Sequence, residues 1–173
     1  MTTQTDTLLV DSILPGARMS LGYALTLAED IPADRWADPV IEGMNHPAFL
    51  YGHLAIYGNR MLGGFLDRED LVNEIPFDAE AVTAGAPCLP DASKYATKDV
   101  VLPYFKERYE TVIDVLPSVS TDVFARENPV EGRFREILPT VGGVVLFMLN
   151  NHVMMHAGQV SHWRRAMGLG PAG

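Results

Sequence analysis

The chain has 173 residues, of which 47% are hydrophobic and 20% are charged. This length and composition are typical of one globular domain with a substantial core, so we expect residues 1–173 to form a single domain. Its 22 acidic and 13 basic side chains give a formal net charge of −9, which would repel a phosphate backbone and excludes nucleic acid as an expected partner.

Apolar residues recur at spacings of three and four in four segments, and clusters of Pro and Gly fall between these segments. The first segment runs from about residue 7 to residue 28 and is interrupted around Pro15. We expect Pro15 to kink or delay this helix because proline lacks an amide donor. Four helices with two long connections make an all-α bundle the simplest architecture.

The second helix begins in the sequence "GMNHPAF", where Asn45 or His46 can cap the helix and Pro47 suits its first turn. Its apolar pattern continues to Phe65. A connection of thirty residues, 67–96, then leads to the third helix. Because most connections are only a few residues long, we expect this loop to cover a site.

The third helix is expected over residues 97–116, although Pro103 allows its regular part to start later. Residues 121–140 form a second irregular stretch. The fourth helix begins at Thr140 and ends near Gly168, which is placed for a left-handed cap. No segment shows the alternation and turn residues that are typical of β-hairpins.

The sequence favours a cytoplasmic protein with no membrane partner. Its longest apolar stretch, residues 141–149, is much shorter than the about 20 residues that a membrane-spanning helix needs. Residues 1–14 show no basic region ahead of their apolar residues, as a secretory signal would. The single cysteine, Cys88, cannot form an internal disulfide, and we expect it to be a loop thiol without a role.

Two histidines in the fourth helix are spaced to share one metal ion. His152 and His156 are four residues apart, so they lie about 40° apart on one helix face, one turn from each other. If the second and fourth helices are neighbours, His53 can face this pair and complete a site of three histidines. The alternative for His53 is a buried imidazole that donates its ring N–H to a backbone carbonyl.

Other polar residues lie near these histidines in the predicted helices. Gln159 continues the face of the pair, where it can hydrogen-bond a ligand, a metal-bound water or a group behind the metal ligands, or else a neighbouring helix. Tyr57, one turn after His53, has the same alternatives, with packing preferred. His46 is expected at the helix start, and His162 is expected to face solvent or another helix. No residue is assigned a catalytic role.

The methionines and arginines of the fourth helix have simpler interpretations. Met148, Met154 and Met155 are expected to fill gaps in the core or an interface, because a thioether is a poor ligand for metals that prefer histidine. Arg164 and Arg165 could bind a substrate carboxylate, but solvation at the helix end, where cations suit the helix dipole, is the preferred interpretation.

The segments "GHLA", "HVMMH" and "AGQVSHWRRAMGLG" resemble the DinB-like helical bundle family. The resemblance spans most of the chain, including the long crossover loop between helices two and three. It implies a four-helix bundle that is frequently a homodimer. It also implies a divalent ion, such as zinc or nickel, held by His53, His152 and His156.

Family members of known activity use the metal to activate a low-molecular-weight thiol, as bacillithiol transferases and the mycothiol-dependent maleylpyruvate isomerase do. The favoured hypothesis is therefore a metal-dependent transferase in which the thiol attacks an electrophilic small molecule held under loop 67–96, and in which Gln159 can act as an orienting residue. A metal-dependent hydrolase stays open, and would need a base such as a carboxylate from residues 67–80. A non-enzymatic partner-binding bundle also stays open, although three ligands rather than four argue for a reactive metal site.

Overall fold

A computed structural model describes the backbone of residues 4–172 and the side chains of residues 8–172. This part of the chain is all-helical, as expected, and contains no β-strand. None of its helices is long and apolar enough to cross a membrane. The helices in chain order are α1 (Gln4–Glu29), α2 (Pro47–Gly64), α3 (Lys98–Val115), α4 (Thr121–Ala125), α5 (Arg133–Ile137), α6 (Val141–Leu146), a π-helical turn (Phe147–His152) and α7 (Val153–Ala166).

The long helices pack in a ring around one apolar core. Helix α1 contacts α3 and α7, and α2 contacts the same two helices. Fully buried side chains from all four fill the centre, among them Ile13, Leu50, Phe105 and Trp163. Each such side chain contributes about 1.5–3 kcal/mol of burial free energy. The ring makes α2 and α7 neighbours, which is the condition for the three histidines to meet.

Prolines inside α1 and α3 do not interrupt these helices, so the expected interruption around Pro15 is wrong. Helix α1 is continuous across Pro15, and α3 starts before Pro103 and continues past it. Each proline removes the hydrogen bond to a carbonyl four residues earlier. Those carbonyls belong to Asp11 and Asp99, which are both exposed, so water can replace the missing donor.

The second connection is more ordered than expected. Residues 121–140 were expected to be irregular, but they contain α4 and α5, each five residues long. Helices this short have too few turns to give an apolar period. In contrast, residues 67–96 contain only three turns of 3₁₀-helix between irregular stretches, as expected of a loop.

Helix α6, the π-helical turn and α7 follow one another without a break and together form the C-terminal helix, which has the predicted ends. Its first turn is capped by Thr140, whose Oγ1 accepts a hydrogen bond from the Gly143 amide at 3.2 Å. At the other end Gly168 has a φ of +80°, and its amide and that of Leu169 donate to the carbonyls of Arg165 and Arg164. The sequence did not predict the π-helical turn at residues 147–152.

Candidate metal centre

His46 fixes the start of α2 and the loop beside it. Its Nδ1 accepts a hydrogen bond from the Phe49 amide at 3.2 Å, and its Nε2 donates to the Leu89 carbonyl at 3.1 Å. The predicted capping role is therefore confirmed. Through its bond to Leu89, the fully buried His46 ring joins loop 67–96 to the helix that carries His53.

The structure brings together His53, His152 and His156. The Nε2 atom of His152 lies 3.2 Å from that of His53 and 3.0 Å from that of His156. A tetrahedral zinc site with metal–nitrogen distances of about 2.0–2.1 Å separates its nitrogen ligands by about 3.3–3.4 Å. All three side chains are buried, and their ligand atoms lie within 4.8 Å of one another. The spacing and the donor set fit one divalent ion.

Hydrogen bonds at the opposite ring nitrogens point two of the Nε2 lone pairs into the cluster. The Nδ1–H of His53 donates to the Val82 carbonyl at 2.8 Å, and that of His156 donates to Gln159 Oε1 at 2.8 Å. Such bonds fix the tautomer and make the other ring nitrogen a better ligand. The buried Nδ1 of His152 has no partner among the described residues. Only His152 can therefore bring an N–H into the cluster, and a bound cation would satisfy all three lone pairs.

The environment keeps these imidazoles neutral at neutral pH. Burial lowers the pKa of His53 and of His156. Burial, together with the two neighbouring histidines, lowers the pKa of His152 to about 3. A histidine binds a metal in its neutral form, so the site does not need to lose protons to bind an ion near neutral pH.

Aromatic rings enclose the cluster. The Tyr57 ring meets the rings of His53 and His152 edge-on, with centroids 5.0 and 4.9 Å apart. Phe49 stacks on His53 at 6.1 Å, and Phe147 stacks on His152 at 5.8 Å. Tyr57 thus packs against two of the histidines, which matches the preferred interpretation of this residue. These contacts restrict the rotation of both imidazoles.

The π-helical turn carries Phe147 and ends at His152, so it sets where this part of the cluster lies. Helix α1 packs against the turn, and Gly16 is the point of close approach. A Cβ atom at Gly16 would overlap the side-chain amide of Asn150. Single π-helical turns often occur at functional sites, but no residue pattern in the sequence marks this one.

A cavity of about 1060 Å³ opens beside the histidines. Loop residues 83–86 form one wall, so the long loop covers the site as expected. No Asp or Glu lines the cavity in the described part of the chain, and Arg60 is the only charged side chain among the described lining residues, since the histidines are neutral. The other lining residues are mostly apolar, and they include Phe49, Phe65, Val130, Phe134, Phe147 and Met148.

The interpretation of Arg164 as a solvated or substrate-binding side chain is wrong. Arg164 is fully buried, pairs with both carboxylate oxygens of Asp30, and donates to the Leu27 carbonyl at 2.8 Å. The end of α7 packs against the end of α1, which leaves no room for solvent at this guanidinium. Arg165 is exposed, as expected of a solvated helix end, and His162 is exposed as predicted.

The methionines Met148, Met154 and Met155 differ in how far they are exposed. Met148 is buried, as expected, whereas Met154 and Met155 are 38% and 53% exposed and do not fill the core, so the interface alternative stays a prediction for these two residues. They lie on the faces of α7 that point away from the core, although Met155 lines the cavity. Cys88 is a partly buried loop residue, and burial raises the pKa of its thiol, which opposes nucleophilic chemistry at neutral pH.

Comparison with known families agrees with this geometry. No curated protein sequence matches the chain significantly. A sequence profile of the DinB superfamily matches residues 19–160, a segment that runs from α1 into α7. The matched segment is well over half of the chain, and it contains the three clustered histidines and Gln159. The chain therefore belongs to the DinB superfamily.

Proposed function

We propose that His53, His152 and His156 hold a divalent metal ion, zinc or nickel, and that the protein is a metal-dependent transferase. Its reaction is the attack of a low-molecular-weight thiol on an electrophilic small molecule. The observation that carries the proposal is the convergence of three buried, neutral imidazoles on one point in the wall of a cavity. Membership in the DinB superfamily supports the same assignment.

The residues around the site have separate roles in this proposal. A divalent ion with three neutral ligands supplies its full positive charge and an open coordination position, which lowers the pKa of a thiol. Gln159 and the Val82 carbonyl hold two of the imidazoles in the tautomer that binds metal. The apolar wall of the cavity binds the body of the substrate and excludes water.

The composition of the cavity wall favours a transferase over a hydrolase. A hydrolase needs a base near the site, and residues 67–80 were the expected source of a carboxylate. None of these residues lines the cavity, and neither does any other described Asp or Glu. A free thiol has a pKa of about 8.5, and a bound divalent ion would lower it below neutral pH, so the proton would pass to water and no carboxylate of the protein is needed.

The remaining features of the proposal concern the whole chain. We interpret the ring of long helices as a four-helix bundle in which residues 67–96 are the crossover loop, and residues 1–173 as one domain. We further propose that the protein is a cytoplasmic homodimer whose partners are small molecules rather than nucleic acid or membranes. The net charge of −9 supports the exclusion of nucleic acid.

A thiol-transfer assay tests the proposed activity. Cysteine, coenzyme A and bacillithiol are each incubated with 1-chloro-2,4-dinitrobenzene and with wild type, His156→Ala or His162→Ala, loaded with zinc or nickel. We expect wild type and His162→Ala to accelerate the reaction of at least one thiol. His156→Ala should have no effect on the rate, because His156 belongs to the cluster and His162 does not. Equal rates for wild type and His156→Ala with every thiol would overturn the proposal.

A further inference from the structure

Arg60 places a positive charge at the cavity, two turns along α2 from the metal centre. The side chain lines the cavity, and its guanidinium carbon lies 5.0 Å from the centroid of the Tyr57 ring. One of its nitrogens, Nη2, donates to Thr83 Oγ1 at 3.1 Å, so it also contacts the loop that covers the site. Helix α2 and the covering loop therefore hold the guanidinium beside the cavity.

The guanidinium keeps most of its hydrogen-bonding capacity. The guanidinium of an arginine has five N–H donors. Among the described residues, Thr83 is the only hydrogen-bond partner of the Arg60 guanidinium. No carboxylate within residues 8–172 lies in ion-pair distance of it, although the protein has 22 acidic side chains for 13 basic ones. An arginine that lacks a carboxylate in such an acidic protein is available for an anion from outside the chain.

The distance between Arg60 and the histidines suits a small molecule. Arg60 follows His53 by seven residues, a rise of about 10.5 Å along the helix. The guanidinium carbon is no more than about 10 Å from the His53 ring centroid, since each lies 5.0 Å from the Tyr57 ring centroid. Between these two points the cavity wall is mostly apolar. A ligand that reaches both ends thus needs an apolar body with an anion at one end.

We propose that Arg60 binds a carboxylate of the substrate, so that the electrophilic substrate is an apolar or aromatic carboxylic acid whose reactive atom lies at the three histidines. The placement of the substrate's reactive atom rests on the proposed function. The placement of its carboxylate rests on Arg60 and the cavity. The planar guanidinium matches the two oxygens of a carboxylate. Substrates without an anion lose this contact and bind more weakly.

A matched pair of probes tests the anion site. The affinities of 4-phenylbutyrate and its neutral amide, 4-phenylbutyramide, are measured by calorimetry or ligand-detected NMR with wild type, Arg60→Gln and Arg165→Gln. Arg165 is the control because it is an exposed arginine that does not line the cavity. We expect wild type and Arg165→Gln to prefer the carboxylate by about fivefold, and Arg60→Gln to lose the preference.

Three results would overturn the proposal: equal affinity of the two probes for wild type, the same preference in Arg60→Gln as in wild type, or no binding of 4-phenylbutyrate up to about 10 mM.

Repeating the titrations with chelator-treated and zinc-loaded protein separates this proposal from the metal proposal. A preference that depends on Arg60 in protein unable to bind zinc supports the anion site while the metal site fails. A preference that requires zinc and ignores Arg60 places the carboxylate on the ion and overturns the anion site.

Discussion

At the scale of single residues, the metal affinity of the site depends on which groups accept hydrogen bonds from the Nδ1–H of His53 and of His156. His53 donates to a backbone carbonyl, which no side-chain substitution removes, whereas His156 donates to the side chain of Gln159. The spacing of Gln159 from His156 predicted that it lies on the face of the histidine pair, because residues three apart on a helix are neighbours, but its hydrogen-bond partner was left open. The carbonyl partner of His53 could not be predicted, because Val82 lies in an irregular loop and contributes only its backbone.

Replacing Gln159 by Leu is expected to lower zinc affinity by about tenfold, because the His156 ring loses the acceptor that fixes its tautomer and orientation. Gln159→Glu keeps an acceptor at the same place and is expected to stay within a few-fold of wild type. Competition against a chromogenic zinc chelator measures all three affinities. If Gln159→Leu binds zinc as tightly as wild type, the orienting role of this side chain is refuted.

At the scale of elements, the π-helical turn that ends at His152 packs against α1. The helices and their caps were largely predictable from apolar spacing and from residues such as His46 and Thr140. The π-helical turn was not predictable, since no local residue pattern marks it; it packs against α1, with Asn150 close to Gly16. The five-residue helices α4 and α5 escaped prediction because they are shorter than two turns.

Gly16→Ala is expected to leave the protein less stable than Gly22→Ala by about 0.5–1.5 kcal/mol, because the added methyl group overlaps the Asn150 side-chain amide, which must turn away and give up its hydrogen bond to the Leu146 carbonyl. Only the end of a flexible side chain has to move, so the turn that ends at His152 should keep its place and zinc affinity should stay within a few-fold of wild type. Gly22 is the matched control in the same helix, since a Cβ there meets nothing within 4 Å. Gly22→Ala should stabilise the protein by about 0.5–1 kcal/mol and leave zinc affinity unchanged.

Urea unfolding of the metal-free proteins and zinc competition measure these effects. Equal stability of the two alanine variants would show that Gly16 has no special packing role.

At the scale of the whole molecule, one buried arginine joins the helix that carries His156 to α1. Arg164 links the end of α7 to the end of α1 through Asp30 and the Leu27 carbonyl. Sequence reasoning placed this arginine in solvent because a helix-end cation is usually solvated, and its partner is 134 residues away in the chain. The ring of helices itself followed from four apolar faces that must be buried against one another.

Replacing Asp30 by Asn is expected to lower the free energy of unfolding by about 1–2 kcal/mol, because Arg164 stays buried without its counter-charge. The effect is below that of a fully buried pair, since the Asp30 side chain is 60% exposed. Asp114 provides the control: its pair with Arg18 is exposed on both sides, so Asp114→Asn should change stability by less than about 0.5 kcal/mol. Equal losses in both variants, measured by urea unfolding, would contradict the structural role of Arg164.

The central claim is that three histidines from α2 and the C-terminal helix bind one divalent ion. Its most direct test is elemental analysis of protein purified without an affinity tag and incubated with zinc or nickel, for wild type, His156→Ala and His162→Ala. The account predicts about one ion per chain in wild type and in His162→Ala, and little metal in His156→Ala. A wild-type protein that takes up no metal, or a His156→Ala variant that retains a full equivalent, would contradict it.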